Sequence, residues 1–64
     1  MKAKTSREII KALKADGWFE VNIEGSHHQF KHPTKKGRVT VQDPKKEISG
    51  DVLKSIERQS GLTF

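Results

Sequence analysis

Two segments with strand-like patterns meet at the dipeptide Gly25-Ser26, and this arrangement limits the possible folds of the 64-residue chain more than any other feature. From Trp18 to Glu24 apolar and polar residues alternate, which is typical of a half-buried strand. Gly25-Ser26 is a short turn sequence, and residues 27–32 can form the returning strand. The sequence therefore predicts a β-hairpin. The first strand is expected to direct three apolar side chains inward: Phe19, Val21 and Ile23.

A third strand and two helices complete the predicted unit. Residues 38–42 follow a turn at 34–37 and extend the hairpin into an antiparallel meander. The capping-box sequence from Thr5 to Glu8 predicts a first helix running toward Asp16. Ser49 is the predicted N-cap of a second helix that ends near residue 60, before Gly61. The side chains expected to be buried by the helices are Ile9, Ile10, Leu13, Ile48, Val52, Leu53 and Ile56.

The length of the chain supports one domain spanning residues 1–64, because so short a chain cannot build a second core. The order helix, three strands, helix predicts an α+β fold with both helices on one face of a three-stranded antiparallel sheet. This order resembles that of the double-stranded RNA-binding domain. An element order does not by itself assign a function.

Charge and composition narrow the classes of partner. Thirteen Lys and Arg residues against eight Asp and Glu give a net charge of +5, which favours binding to phosphate backbones or to an acidic protein. The absence of cysteine excludes disulfides and thiolate metal sites. No secretory signal or long apolar segment is present, so a cytoplasmic protein without membrane contact is expected.

Strand alternation separates the adjacent histidines. Phe30 is the large apolar residue of the second strand, so it must face the core, and His28 and His32 share its face. His27 then faces solvent, together with Gln29 and Lys31. The neighbouring strands are expected to add polar residues to this open face: Glu20, Asn22, Arg38, Thr40 and Gln42.

An exposed histidine on a cationic surface is a candidate general base, because imidazole titrates near neutral pH. His28 beside Phe30 is interpreted as a packing residue and His32 as a strand-end residue. A zinc site is not expected, since His27 and His28 point to opposite faces and no carboxylate pair accompanies them. Phosphate-binding loops and the Ser-His-Asp pattern are also missing, so no metal or cofactor is predicted.

Several motifs together resemble the HicA toxin family of bacterial type II toxin-antitoxin modules. The resemblance runs from the first helix to Leu62. It is carried by Gly25-Ser26-His27-His28-Gln29-Phe30, His32-Pro33, Arg38-Val39-Thr40-Val41, Lys46-Glu47-Ile48 and Ile56-x-x-Gln59-x-Gly61-Leu62.

The resemblance implies a double-stranded-RNA-binding-like fold, ribosome-independent cleavage of messenger RNA, and neutralisation by a HicB antitoxin. It assigns the catalytic role to His27 and the presenting turn to Gly25 and Ser26. Many relatives carry a histidine just after the third strand, where this chain has Gln42-Asp43-Pro44. The group that protonates the leaving oxygen is therefore unassigned.

The remaining cations fall into two predicted groups. Those expected to stabilise charge on the reacting phosphate are Lys31, Lys36 and Arg38. Those expected to contact the RNA backbone are Lys11, Lys14, Lys35, Lys45 and Lys46. Trp18 is interpreted as a lid on the core, with base stacking as the alternative. Two other functions remain open, a non-catalytic RNA-binding module and a domain that docks on an acidic protein.

Overall fold

A computed structural model describes residues 3–64, so the first two residues of the predicted domain lie outside the described part. The elements are α1 Ser6–Ala15, β1 Phe19–Glu24, β2 His27–Lys31, β3 Val39–Gln42 and α2 Gly50–Ser60. The three strands form one antiparallel sheet in the order β1-β2-β3. The predicted α+β architecture is confirmed.

The core lies between the two helices and one face of β2 and β3. Phe30, Val39 and Val41 are fully buried on that face. The opposing helix side chains and those of the connections are Ile9, Leu13, Trp18, Ile48, Leu53 and Ile56. Both helices therefore cover the same face of the sheet and leave the other face open.

The start of α1 follows the predicted capping box. The Thr5 backbone N–H donates to Glu8 Oε1 at 2.9 Å, and the Glu8 backbone N–H donates to Thr5 Oγ1 at 3.2 Å. The hydrogen bond from the Thr5 backbone lowers the pKa of Glu8. The local sequence alone thus fixes where this helix begins.

The end of α2 agrees with prediction, whereas two details of its start do not. Gly61 ends the helix with a φ of 75°, and its N–H donates to the Glu57 carbonyl at 2.8 Å. Ser49 holds the N-cap position, but its side chain makes no capping hydrogen bond within residues 3–64. The expected burial of Val52 is wrong: its side chain is 55% exposed, because it lies beside the buried stripe that contains Leu53.

The expected burial of β1 is also wrong. All six of its residues are exposed, and Phe19, Val21 and Ile23 are 49%, 42% and 50% accessible. A bulge between Glu20 and Asn22 breaks the alternation. β1 lies at an edge of the sheet, whereas both helices pack against β3 at the other edge. Two short helices do not reach far enough to cover it.

The bulge also changes which β1 residues share a face with β2. Phe19 pairs with Lys31, so it lies on the open face of the sheet, where no large apolar residue was expected. Glu20 pairs with the core residue Phe30 and lies on the helix side, contrary to its expected place on the open face. The alternation in the sequence thus predicts the strand and the faces of Asn22 and Ile23, but it assigns Phe19 and Glu20 to the wrong faces.

His32 joins the end of β2 to the end of α1. Its Nδ1 accepts hydrogen bonds from the backbone N–H groups of Thr34 and Lys35, both at 3.1 Å. Its Nε2 therefore carries the proton and donates to the Asp16 carbonyl at 2.7 Å. The Trp18 ring meets this imidazole edge to face, with ring centroids 5.2 Å apart. His32 is thus a structural residue, with both ring nitrogens occupied.

The side chain of Asp16 is held by a lysine, and this contact predicts a pH dependence of stability. The Lys35 ammonium donates to Asp16 Oδ2 at 2.5 Å, which lowers the pKa of Asp16. A carboxyl whose pKa is lower in the folded state stabilises the fold above its unfolded pKa of about 3.9. That contribution is lost as the pH falls through the lower, folded value.

We therefore expect Asp16→Asn to be less stable than the parent protein at pH 7 and to lose less stability on acidification. Thermal melts between pH 7 and pH 2 measure both effects, with Glu47→Gln, at an exposed loop position, as the matched control. Parallel melting profiles for the parent and Asp16→Asn would contradict the assigned role of this ion pair.

Candidate active site on the open face of the sheet

The β1-β2 turn places His27 at the first position of β2. Glu24 and His27 are paired, so Gly25 and Ser26 form a two-residue loop. Gly25 has a φ of 59°, and Ser26 does not have a positive φ, a combination that fits a type II′ turn with glycine first. The Ser26 carbonyl accepts a hydrogen bond from the Asp43 N–H at 2.8 Å. The turn that presents His27 is thus held against the end of β3.

The strand register confirms that the adjacent histidines lie on opposite faces. His27 pairs with Gln42, a residue exposed on β3, and the His27 side chain is itself exposed. His28 pairs with the buried Val41, on the helix side of the sheet. Paired residues in an antiparallel sheet share a face, so these two pairs define the two sides.

Two cations contact glutamines that share the open face with His27. The Arg38 guanidinium donates to Gln29 Oε1 at 2.7 Å, and Gln29 lies two residues from His27 along β2. The Lys45 ammonium contacts Gln42 Oε1 at 3.5 Å, and Gln42 is the cross-strand partner of His27. A phosphate near His27 would therefore have positive charge on two sides.

The other predicted phosphate ligands lie farther away. Lys31 ends β2, four residues and about 13 Å along the strand from His27. Lys36 lies in the connection that leaves the same end of β2. Neither residue belongs to the end of β2 where His27 lies.

The predicted backbone-contacting lysines are spread over different surfaces. Lys11 and Lys14 are exposed on α1, on the opposite side of the sheet from His27. Lys35 donates to Asp16 and to the Ser60 carbonyl at 3.0 Å, so it ties the ends of the two helices together. Lys46 is exposed beside Lys45. Of these five lysines, Lys45 is the one whose ammonium contacts the cross-strand partner of His27.

A contact that sequence reasoning missed joins the loop after β3 to the start of α1. Ser6 is 2% exposed, and its hydroxyl donates to Asp43 Oδ1 at 2.5 Å. Ser6 Oγ also accepts the Lys45 N–H at 3.0 Å, and the Ser6 N–H donates to the Lys45 carbonyl at 2.9 Å. These partners are 37 and 39 positions apart in the sequence, and no local pattern signals such a pairing.

His28 lies between two carboxylates on the helix side of the sheet. Its Nδ1 is 2.6 Å from Glu20 Oε1 and its Nε2 is 3.9 Å from Asp43 Oδ2. The side chain is 18% exposed, which confirms the predicted half-buried position. The bulge in β1 makes this contact possible because it turns Glu20 toward the helices.

Comparison with known proteins identifies one family. A family model described as the HicA toxin of bacterial toxin-antitoxin systems matches residues 6–62. The match extends from the first residue of α1 past the end of α2. No curated protein matches the chain.

Residues 3–64 contain neither a membrane-spanning helix nor a cluster of metal ligands. Neither helix in this range is long and apolar enough to cross a bilayer. His, Asp and Glu side chains in the same range form no group of three or more with a geometry suited to holding a metal ion.

Proposed function

The chain belongs to the HicA toxin family of bacterial toxin-antitoxin systems, and from this premise we propose that it is an endoribonuclease that cleaves messenger RNA without a metal ion or the ribosome. The observation that carries the proposal is the position of His27. This imidazole is exposed at the start of a strand, directly after a tight turn, on the face of the sheet that the helices leave open.

In the proposed reaction, neutral His27 removes the proton from a ribose 2′-hydroxyl. The 2′ oxygen attacks the adjacent phosphorus, the bond from phosphorus to the 5′ oxygen breaks, and a 2′,3′-cyclic phosphate and a 5′-hydroxyl end result. General base catalysis of this kind contributes about 10²- to 10⁴-fold. The Arg38 guanidinium, held above Gln29, is placed to offset the charge that develops on the phosphoryl oxygens.

The surroundings of His27 suit a single RNA strand. Lys31 extends the positive charge along the open face from the site. Phe19 lies beside Lys31 on the same face and is half exposed, so it offers an aromatic surface on which a base can stack. A single strand leaves bases free for such stacking, whereas an RNA duplex does not.

A toxin of this family acts with an antitoxin, and we propose that the partner here is a HicB-type protein. The net charge of +5 favours an acidic docking surface on that partner. The same charge would attract RNA, so the antitoxin and RNA are expected to compete.

The substrate chemistry gives the test of this proposal. We expect the purified protein to cleave RNA in excess chelator, and to leave intact an oligonucleotide with 2′-deoxyribose at the scissile nucleotide, because the attacking hydroxyl is then missing. Gel electrophoresis of products measures both outcomes, and an all-ribose oligonucleotide of the same sequence is the control.

Three results would overturn the proposal in different ways. Activity that is lost in chelator and restored by a divalent ion would indicate a metal mechanism. Retardation of RNA on a native gel without cleavage would indicate a non-catalytic RNA-binding module. No effect on RNA would indicate a domain that only docks on protein.

A further inference from the structure

We propose that Lys45 is a second catalytic residue, the proton donor for the leaving 5′ oxygen. The inference rests on the proposed ribonuclease function and assigns the one role that His27 cannot fill in the same turnover. It is carried by the position of the Lys45 ammonium relative to His27 and by the contacts that hold the Lys45 backbone.

The Lys45 ammonium contacts the cross-strand partner of His27. His27 and Gln42 are cross-strand partners, and the Cβ atoms of such partners lie about 4.5–5.5 Å apart. The Lys45 Nζ is 3.5 Å from Gln42 Oε1. A phosphodiester placed beside His27 and above Gln42 would thus have the imidazole on one side and the ammonium on the other.

The backbone of Lys45 is held in place although it belongs to a loop. Its N–H and carbonyl both bond to Ser6, a buried residue at the start of α1. The same hydroxyl of Ser6 bonds to Asp43, whose own N–H bonds to the carbonyl of Ser26. One set of contacts therefore fixes both the turn that presents His27 and the residue that carries the ammonium. Such preorganisation is what a catalytic pair needs.

The other candidates for proton donor fit the position less well. His28 is on the opposite face, with its ring nitrogens toward Glu20 and Asp43. The Arg38 guanidinium lies near the site, but arginine stays protonated and serves better as a fixed charge. Lys31 lies at the far end of β2.

His27 and Lys45 together account for both proton transfers of the reaction. His27 gains the proton of the 2′-hydroxyl as the new bond from oxygen to phosphorus forms. Lys45 gives a proton to the 5′ oxygen as the old bond breaks, and it is left as a neutral amine. Exchange with water then restores the imidazole and the ammonium, so no co-reactant is consumed.

The test compares two leaving groups. One oligonucleotide carries the natural 5′ oxygen and the other carries sulfur at the same bridging position. A thiol has a pKa of about 8.5, so the thiolate leaves without needing a proton. We expect Lys45→Met to lower kcat on the oxygen substrate by about 10²- to 10⁴-fold, with little change in KM, and to cleave the sulfur substrate at nearly the parent rate.

Lys46→Met is the matched control, because it removes a neighbouring exposed lysine of the same loop. That variant is expected to raise KM and to reduce the salt dependence of RNA binding, with kcat unchanged. The inference is overturned if Lys45→Met behaves like Lys46→Met, or if its loss of kcat is equally large on the sulfur substrate. Failure of the parent protein to cleave either substrate would instead overturn the ribonuclease function itself.

Discussion

The His27→Ala variant is expected to lose RNA cleavage by at least about 100-fold, while its melting temperature changes little. Activity falls because the base that removes the 2′-hydroxyl proton is gone. Stability is kept because His27 is exposed, and substitutions at exposed positions typically change the free energy of unfolding by less than about 0.5 kcal/mol. Initial rates on RNA and thermal melts followed by circular dichroism measure the two effects.

The adjacent histidine supplies the control for this experiment. His28→Ala removes the contact with Glu20 and packing beneath β2, and we expect it to lower the free energy of unfolding by about 0.5–3 kcal/mol. Its folded fraction should still cleave RNA when rates are measured below the thermal transition. A His28→Ala variant that is fully stable but inactive would show that His28 takes part in the reaction. The roles assigned to His27 and Lys45 would then be wrong.

The opposite orientations of His27 and His28 follow from the sequence because two local features fix them. Gly25-Ser26 sets a two-residue turn, and Phe30 identifies the buried face of β2. Once the turn and one buried residue are known, alternation determines the face on which each remaining residue of that strand lies. The capping box of α1 and the glycine that ends α2 are equally local and were also predicted correctly.

The alternation of apolar and polar residues in β1 does not show that the strand is exposed. The pattern of Phe19, Val21 and Ile23 indicates residues that share a face, but it does not tell whether another element covers that face. Coverage depends on where the helices pack, and both contact β3. The bulge between Glu20 and Asn22 adds a change of register that the residue types in the strand do not indicate.

The contacts of individual lysines could not be predicted from the sequence for a related reason. Lys35 and Lys45 look alike in the sequence, yet the first bonds to Asp16 and the second lies beside Gln42. What separates them is the contact of each with an element distant in the chain. The exposed position of His27 was therefore predictable from the sequence, whereas the contacts of the individual lysines required the three-dimensional structure.

Truncation of Trp18 should produce a large loss of stability. The indole is 2% exposed, packs edge to face on His32, and donates from Nε1 to Asp16 Oδ2 at 3.2 Å. Trp18→Ala is expected to cost about 3–5 kcal/mol. A domain of 64 residues has a total stability of only about 3–10 kcal/mol at the usual value per residue, so much of the variant should be unfolded.

Trp18 has two interpretations, a lid on the core and a platform for base stacking. The variant Trp18→Phe separates the two. Phenylalanine keeps most of the apolar contact but loses the hydrogen bond to Asp16, so it should retain a cooperative urea transition at a lower midpoint. Because Trp18 is buried, we expect the KM of this variant for RNA to match that of the parent protein. Phe19→Ala is the matched comparison: Phe19 is half exposed on the open face, and its loss should raise KM with little change in stability. A raised KM for Trp18→Phe with an unchanged urea midpoint would contradict the role of Trp18 as a core residue.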